Sequence, residues 1–342
     1  MPQLNKNTDY EKFQPVKISS HEAEVINKPS LSFWQDSWLR VKKNKAAILS
    51  LVALSLLIIM AFLGPFVSGK DFDSQNVSHN NLPPRIQGLE NVSWLPFDGM
   101  AERKNGTQYD AYEMKKVEEY YWFGTDALGR DQFTRIWKGT QVSLYIAFLA
   151  AAIDMVIGVA FGLASGYFGG RIDSFMQRII EILVGIPNLV VVILMIIVLK
   201  PGILSITIAL SITGWTTMAR VVRAQVIKYK NQEFVLASKT LGASNLKIML
   251  KHLMPNLVGV IIINTMFTIP SAIFFEAFLS FIGLGLKDPL ASLGTLIDDG
   301  YRTMRLHPHL LIYPAVIMSI IMISFNMLAD GLRDALDPKM RD

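Results

Sequence analysis

The 342-residue sequence contains no cysteine, which excludes a disulfide-stapled secreted scaffold, a Cys-ligated metal site and thiol chemistry. Charge is also scarce. Only 18% of residues are charged, against about 25% in an ordinary soluble domain. With 15 Pro and 23 Gly, the chain is too poor in both for a collagen-like or low-complexity polymer. It has no Gly-x-x-x-x-Gly-Lys-Ser/Thr run, and Gly69-Lys70 leads into Asp71, so no loop of its own cradles a nucleotide phosphate. Gly-x-Ser-x-Gly and His-Glu-x-x-His are missing as well. His307 and His309 have no carboxylate or thiol at ligand spacing, so no metal site is expected. Asp126 and Asp131 lack the alternating oxygens of a calcium loop and read as a solvated turn. No catalytic residue emerges from these searches.

Apolar residues are what the chain has in quantity: 51% are hydrophobic and the mean hydropathy is +0.34. Five stretches reach or approach the roughly 20 apolar residues of a spanning helix, and a sixth is close. The pI of 9.2 then reflects membrane topology rather than nucleic-acid binding. The expected fold is an all-α polytopic membrane protein of six transmembrane helices, with an extracytoplasmic insertion after the first.

Residues 1–29 are polar and aperiodic and read as a cytoplasmic tail. In residues 30–45, Leu31, Trp34, Trp38 and Val41 recur at helical spacing, which predicts an elbow helix lying in the interface of the lipid bilayer. Lys42, Lys43 and Lys45 precede the uncharged first span, 46–66, and place the amino terminus inside. Residues 67–141 form an outer block with too few apolar residues for a strong core of its own. The five-helix core, 142–336, follows: spans at 142–168, 175–199, 203–219, 257–286 and 310–329, then a cytoplasmic tail, 337–342. Between the fourth and fifth spans, residues 220–252 set seven basic residues against one acid, Glu233, and are assigned inside. Both termini are therefore expected in the cytoplasm.

Asp154 and Glu276 are costly in hydrocarbon, so each either lines a watery pathway or bonds between helices. Both readings stay open. Glu181 lies near the headgroups, and Trp215 and Asn188 read as packing and kink residues.

The most informative segment is 231–256. Phe234, Ala237 and Leu241 form an apolar stripe, and Gly242 sits where a left-handed cap belongs. Ser244 suits an N-cap, and Pro255 is expected to end the second helix before the fifth span. Such a helix pair, projecting into the cytosol, reads as a docking element for a partner.

This loop resembles the signature of membrane subunits of binding-protein-dependent ABC importers: Glu-Ala-Ala, three residues, Gly, nine residues, Ile-x-Leu-Pro. Ala237, Gly242 and Pro255 match, whereas Leu236, Ser238, His252 and Met254 depart. The segments 123–131, 278–285 and 330–338 are similar to three further blocks of the C-type permeases of peptide importers. The long block 67–120 is similar to oligopeptide members, with dipeptide and nickel permeases as the alternative within the group. The resemblance implies the type I ABC importer architecture in a bacterial plasma membrane. It also implies a second, B-type permease, two ATPase subunits and an extracellular peptide-binding lipoprotein as partners, with peptide as cargo and no nucleic acid. ATP and Mg would sit on the ATPases, this chain binding no cofactor and acting as no enzyme. Glu233, Phe234, Ala237, Leu241, Gly242, Ala243 and Pro255 would form its ATPase-coupling loop. Two readings from other classes compete: an autonomous ion-coupled carrier, which would predict inverted repeats, and a membrane-anchored scaffold for the outer block.

Overall fold

The computed structural model describes residues 32–336, apart from Ser93 and 103–105. The expected tails 1–29 and 337–342, and the first residues of the elbow segment, lie outside the described residues. Helix α1 (Phe33–Lys43) opens on a reciprocal cap between Ser32 and Gln35, which satisfies two backbone donors at the helix start. Its Ser37 and Val41 face the protein, while Trp34, Trp38 and Leu39 are exposed. Asn44 breaks the helix and caps α2 (Lys45–Val67) by accepting from the Ala47 amide at 3.1 Å.

The outer block follows α2. A short antiparallel hairpin, β1 (Met100–Glu102) with β2 (Gln108–Asp110), sets Ala101 opposite Tyr109. Helix α3 (Ala111–Lys115) completes a small core of Leu82, Ala111, Tyr112, Val117 and Tyr121. That core is too small to stand alone, and the block leans on the bundle: Phe123 stacks on Tyr313 with ring centroids 4.4 Å apart.

Helix α4 (Gln132–Phe168) begins ten residues before the expected boundary at 142. Its first turns carry Gln132, Arg135, Lys138 and Gln141, too polar for lipid but well able to form helix. Hydropathy locates lipid; the cap on Asp131 locates the helix. The expected third span is not one helix. Residues Gly170–Gly185 (α5) and Asn188–Leu199 (α6) are bent by 81°. Pro187 lacks an N–H and forces Ile186 out of helical geometry, to φ −86° and ψ 126°.

Helix α7 (Ile203–Tyr229) runs ten residues past the expected inner end at Ala219. It packs along α4 at close range. A Cβ at Gly158 would lie 2.7 Å from the Trp215 carbonyl oxygen, at Gly162 2.5 Å from that of Ala219, and at Gly166 2.9 Å from that of Arg223. Small residues at every fourth position let the two backbones approach, and in lipid this packing replaces a hydrophobic drive between helices.

Three further helices follow the basic loop, whose helix α8 (Glu233–Thr240) and short helix α9 (Asn245–Lys247) are described below. They are α10 (Met254–Phe281), α11 (Leu293–Thr303) and α12 (His309–Leu336). Among the described residues, four helices are long and apolar enough to cross a membrane, or five if the bent pair is one span, rather than the expected six. The difference is α7, whose serines, threonines and Arg220 dilute its apolar character. Hydroxyls of Thr207 and Thr216 answer part of that polarity by donating to backbone carbonyls within the helix.

Candidate functional site: the loop between the fourth and fifth spans

Helix α8 ends in a left-handed turn at Gly242, φ 80°. The Ala243 amide donates to the Ser238 carbonyl at 3.1 Å and the Gly242 amide to that of Lys239 at 3.0 Å. Both bonds satisfy carbonyls that a helix end leaves unpaired. Ser244 then caps α9 by accepting from the Lys247 amide. The chain does not stop at Pro255. A wider-wound turn, Ile248–Leu253, joins α9 to α10, and the Met254 amide reaches five residues back to the Met249 carbonyl. Pro255 sits in the first turn of α10, where a missing N–H costs little, so the expected helix end is corrected to a continuous passage into the fifth span.

The loop has two faces. Val235, Ile248 and Leu253 are buried against Val222, Val226 and Leu257, with Ala243 half-buried beside them. Ser238 and His252 share a hydrogen bond at 3.0 Å, and the Tyr167 hydroxyl donates to Asn245 at 2.8 Å. Together these contacts fix the pair to the bundle. Glu233, Phe234, Ala237, Leu241 and Pro255 are exposed; Leu241 keeps 88% of its surface open. Sequence reasoning missed Leu236, Leu246 and Leu250, which are exposed as well. Leu236 was legible only as a departure from the signature, yet its side chain is exposed like that of Phe234.

Neither intramembrane carboxylate opens onto a path within this chain. Glu276 has no exposure and accepts hydroxyls from Ser143, Ser280 and Ser292 at 3.1, 2.9 and 2.7 Å. Asp154 is buried on the α4 face that meets α7, directly under Gly214, and its Oδ1 has no hydrogen-bond partner. Within this chain Glu276 bonds to residues of α4 and α10 and to the cap of α11, and Asp154 lies between α4 and α7. Glu181 is exposed and paired with Arg178 at 2.8 Å, and Asn188 accepts from Thr213 at 2.9 Å.

Asp126 and Asp131 are not a solvated turn. Arg130 donates to Asp126 and Asp288, both at 2.6 Å, and Arg135, 1% exposed, lies 3.5 Å from Asp126. Asp131 is buried and accepts from the Thr134 amide and hydroxyl at 2.9 and 2.5 Å. Burial pushes its carboxyl above the ordinary value, and the two Thr134 bonds pull it back in part. His307 and His309 have ring centroids 6.0 Å apart, and no group of three or more metal-ligating side chains occurs among the described residues.

Two family models match. Residues 158–342 match the binding-protein-dependent transport system inner membrane component, and residues 32–84 the N-terminal TM domain of oligopeptide transport permease C. The dipeptide transport system permease protein DppC of Bacillus subtilis (strain 168) is 44% identical over 341 residues, covering 99% of this chain and 96% of that protein. The oligopeptide transport system permease protein OppC of the same organism is 43% identical over 329 residues, covering 96% and 97%. A solved structure of the MetNI methionine ABC transporter in inward-facing conformation is 18% identical, covers 59% of this chain and 96% of that chain, and gives a TM-score of 0.49.

Proposed function

This chain belongs to the family of binding-protein-dependent transport system inner membrane components, and from that membership we propose that it is one permease subunit of an ATP-driven importer of oligopeptides. As a member it is a multi-pass inner-membrane protein and not itself an enzyme. The single observation that carries the proposed mechanism is the exposed apolar face of α8 and α9, held rigidly from behind by Val235 and Ile248. So many exposed large side chains on one short loop, Phe234, Leu236, Leu241 and Leu246, are costly unless a partner covers them. The partner is an ATPase subunit, which would carry ATP and Mg.

The assembly has two different permeases, two ATPases and an external peptide-binding lipoprotein. Closure of the ATPases displaces the docking segment, and the displacement biases the bundle between inward- and outward-facing states. Both termini and residues 220–252 are cytoplasmic in this reading, and 67–141 and 287–309 are outside; the charge asymmetry supports that orientation. The match of residues 32–84 to the oligopeptide permease domain supports longer peptides as cargo. The near-equal identity to a dipeptide permease keeps dipeptides as the second reading.

Reconstitution tests both. With sister permease, ATPases and binding protein in vesicles, peptide accumulation is expected only with ATP. Accumulation driven by a proton or sodium gradient without ATPases would restore the ion-coupled carrier, which family membership does not favour. Saturable uptake of dipeptides with exclusion of longer peptides would replace the oligopeptide assignment.

A further inference from the structure

At the end of the bundle that carries the docking segment, Arg223 of α7 donates from Nε to Oδ1 and from Nη2 to Oδ2 of Asp173 on α5, both at 2.6 Å. A two-pronged guanidinium–carboxylate pair fixes orientation as well as distance. Ser165, near the end of α4, donates to the same carboxylate, and Gln177 donates to Ser165 Oγ at 3.1 Å. Lys230 reaches the Gly166 carbonyl at 2.8 Å. Polar contacts thus tie α4, α5 and α7 together where the fourth span leads into the loop.

These ties matter unequally. The glycine face clamps α4 to α7 along several turns, so those two helices have no need of a polar latch to move as one. Helix α5 is different. Ile180 is its only buried residue, and it packs on Trp215, Ala219 and Phe161. Half-buried Leu183 packs on the same small cluster, and the charged tie of α5 to α7 runs through Asp173. Helix α5 is also the first leg of the pair bent by 81°. On the other side, α7 runs unbroken from Arg223 to Tyr229, and α8 begins at Glu233. Arg223 therefore stands about 9 Å of helix rise from the end of α7, in line with any displacement of the docking segment.

We propose that the Asp173–Arg223 pair is the strut that carries motion of the docking segment into the bent α5–α6 pair, which makes both residues positioning residues for coupling. The inference rests on the docking reading given above. A hinge with one small apolar cluster and one oriented ion pair follows the helix it is tied to; with the ion pair gone, α7 moves and the bent span lags.

The test uses the whole reconstituted importer, with Asp173→Asn, Arg223→Gln and the exchange Asp173→Arg/Arg223→Asp, compared at equal amounts of assembled complex. The readout is peptide accumulated per ATP hydrolysed. Each single variant is expected to keep ATP hydrolysis but to lower that ratio about ten-fold, within the range coupling energies usually span. The exchange is expected to restore most of it. A wild-type ratio in the single variants overturns the strut, as does an assembled exchange variant that stays uncoupled. Single variants that fail to assemble, beside a fully coupled exchange variant, assign the pair to folding and also overturn it. Failure of the docking reading itself is distinguishable, because the unsubstituted chain would then bind no ATPase.

Discussion

Glu276 on α10 and Ser292, the residue that caps α11, share a hydrogen bond of 2.7 Å, and neither has any exposed surface. Ser143 of α4 joins the same carboxylate and accepts from the Leu293 amide at 3.1 Å. Three helices therefore meet on one acid. A carboxylate so enclosed is a joint of the bundle, where unmade bonds are expensive because no water can replace them.

Glu276→Ala would orphan at least one of those hydroxyls, at about 1–3 kcal/mol each. We expect a lower melting temperature in detergent and poorer pairing with the sister permease. Glu276→Gln keeps the shape and an acceptor oxygen, and should lose less. Thermal melts of both variants, beside competition between peptides in uptake, check this. A normal melt with altered peptide selectivity would place Glu276 on the translocation pathway instead.

Gly242 separates backbone strain from crowding. Nothing lies within 4 Å of the place a Cβ would occupy, and φ is 80°. Gly242→Val should cost about 1–2 kcal/mol through the left-handed conformation alone. Transport and stimulated ATP hydrolysis should fall with it, while membrane insertion is unchanged. Gly242→Asn tolerates that conformation and should transport nearly normally. Wild-type transport by Gly242→Val would remove Gly242 from the coupling machinery.

Leu241 and Val235 lie on opposite faces of the docking segment, at 88% and 1% exposure. Leu241→Glu touches no neighbour in this chain, and surface changes of that kind usually stay within about 0.5 kcal/mol. We expect it to abolish co-purification of the ATPase without moving the melting temperature. Val235→Ala removes packing against Ile248 and Val226 and should destabilise the loop by about 1–3 kcal/mol. If Leu241→Glu still retains the ATPase, the docking face lies elsewhere.

Much of this was legible in the sequence because the signals are local. Ser244 and the Gly242 turn each act within a few residues, as does the uncharged run from Ala46 to Phe66. The rest depends on partners far along the chain. Ser143 and Glu276 are 133 residues apart, and Arg130 and Asp288 are 158 apart, so no periodicity announces either contact. The 81° bend was half visible: Asn188 read as a kink residue, but hydropathy reads both legs as one apolar stretch. The outward leucines at 236, 246 and 250 were hidden for another reason, since only the buried side of Val235 and Ile248 reveals which face is free.

The orientation of the chain rests on charge, and a cysteine-free sequence makes it directly measurable. Trp94 in the outer block is 80% exposed, and Lys228 near the inner end of α7 is exposed as well. Single cysteines at these positions replace no buried contact, so neither should disturb assembly. In intact cells an impermeant maleimide should modify Trp94→Cys and leave Lys228→Cys unreacted until the membrane is opened. Residues 220–252 carry seven basic residues against one acid, and the positive-inside rule counts such short loops heavily. The outer block is long enough that its own Lys and Arg cast no vote. The reverse labelling pattern would place the apolar docking face outside, away from any source of ATP, and the ATPase partnership would fall with the topology.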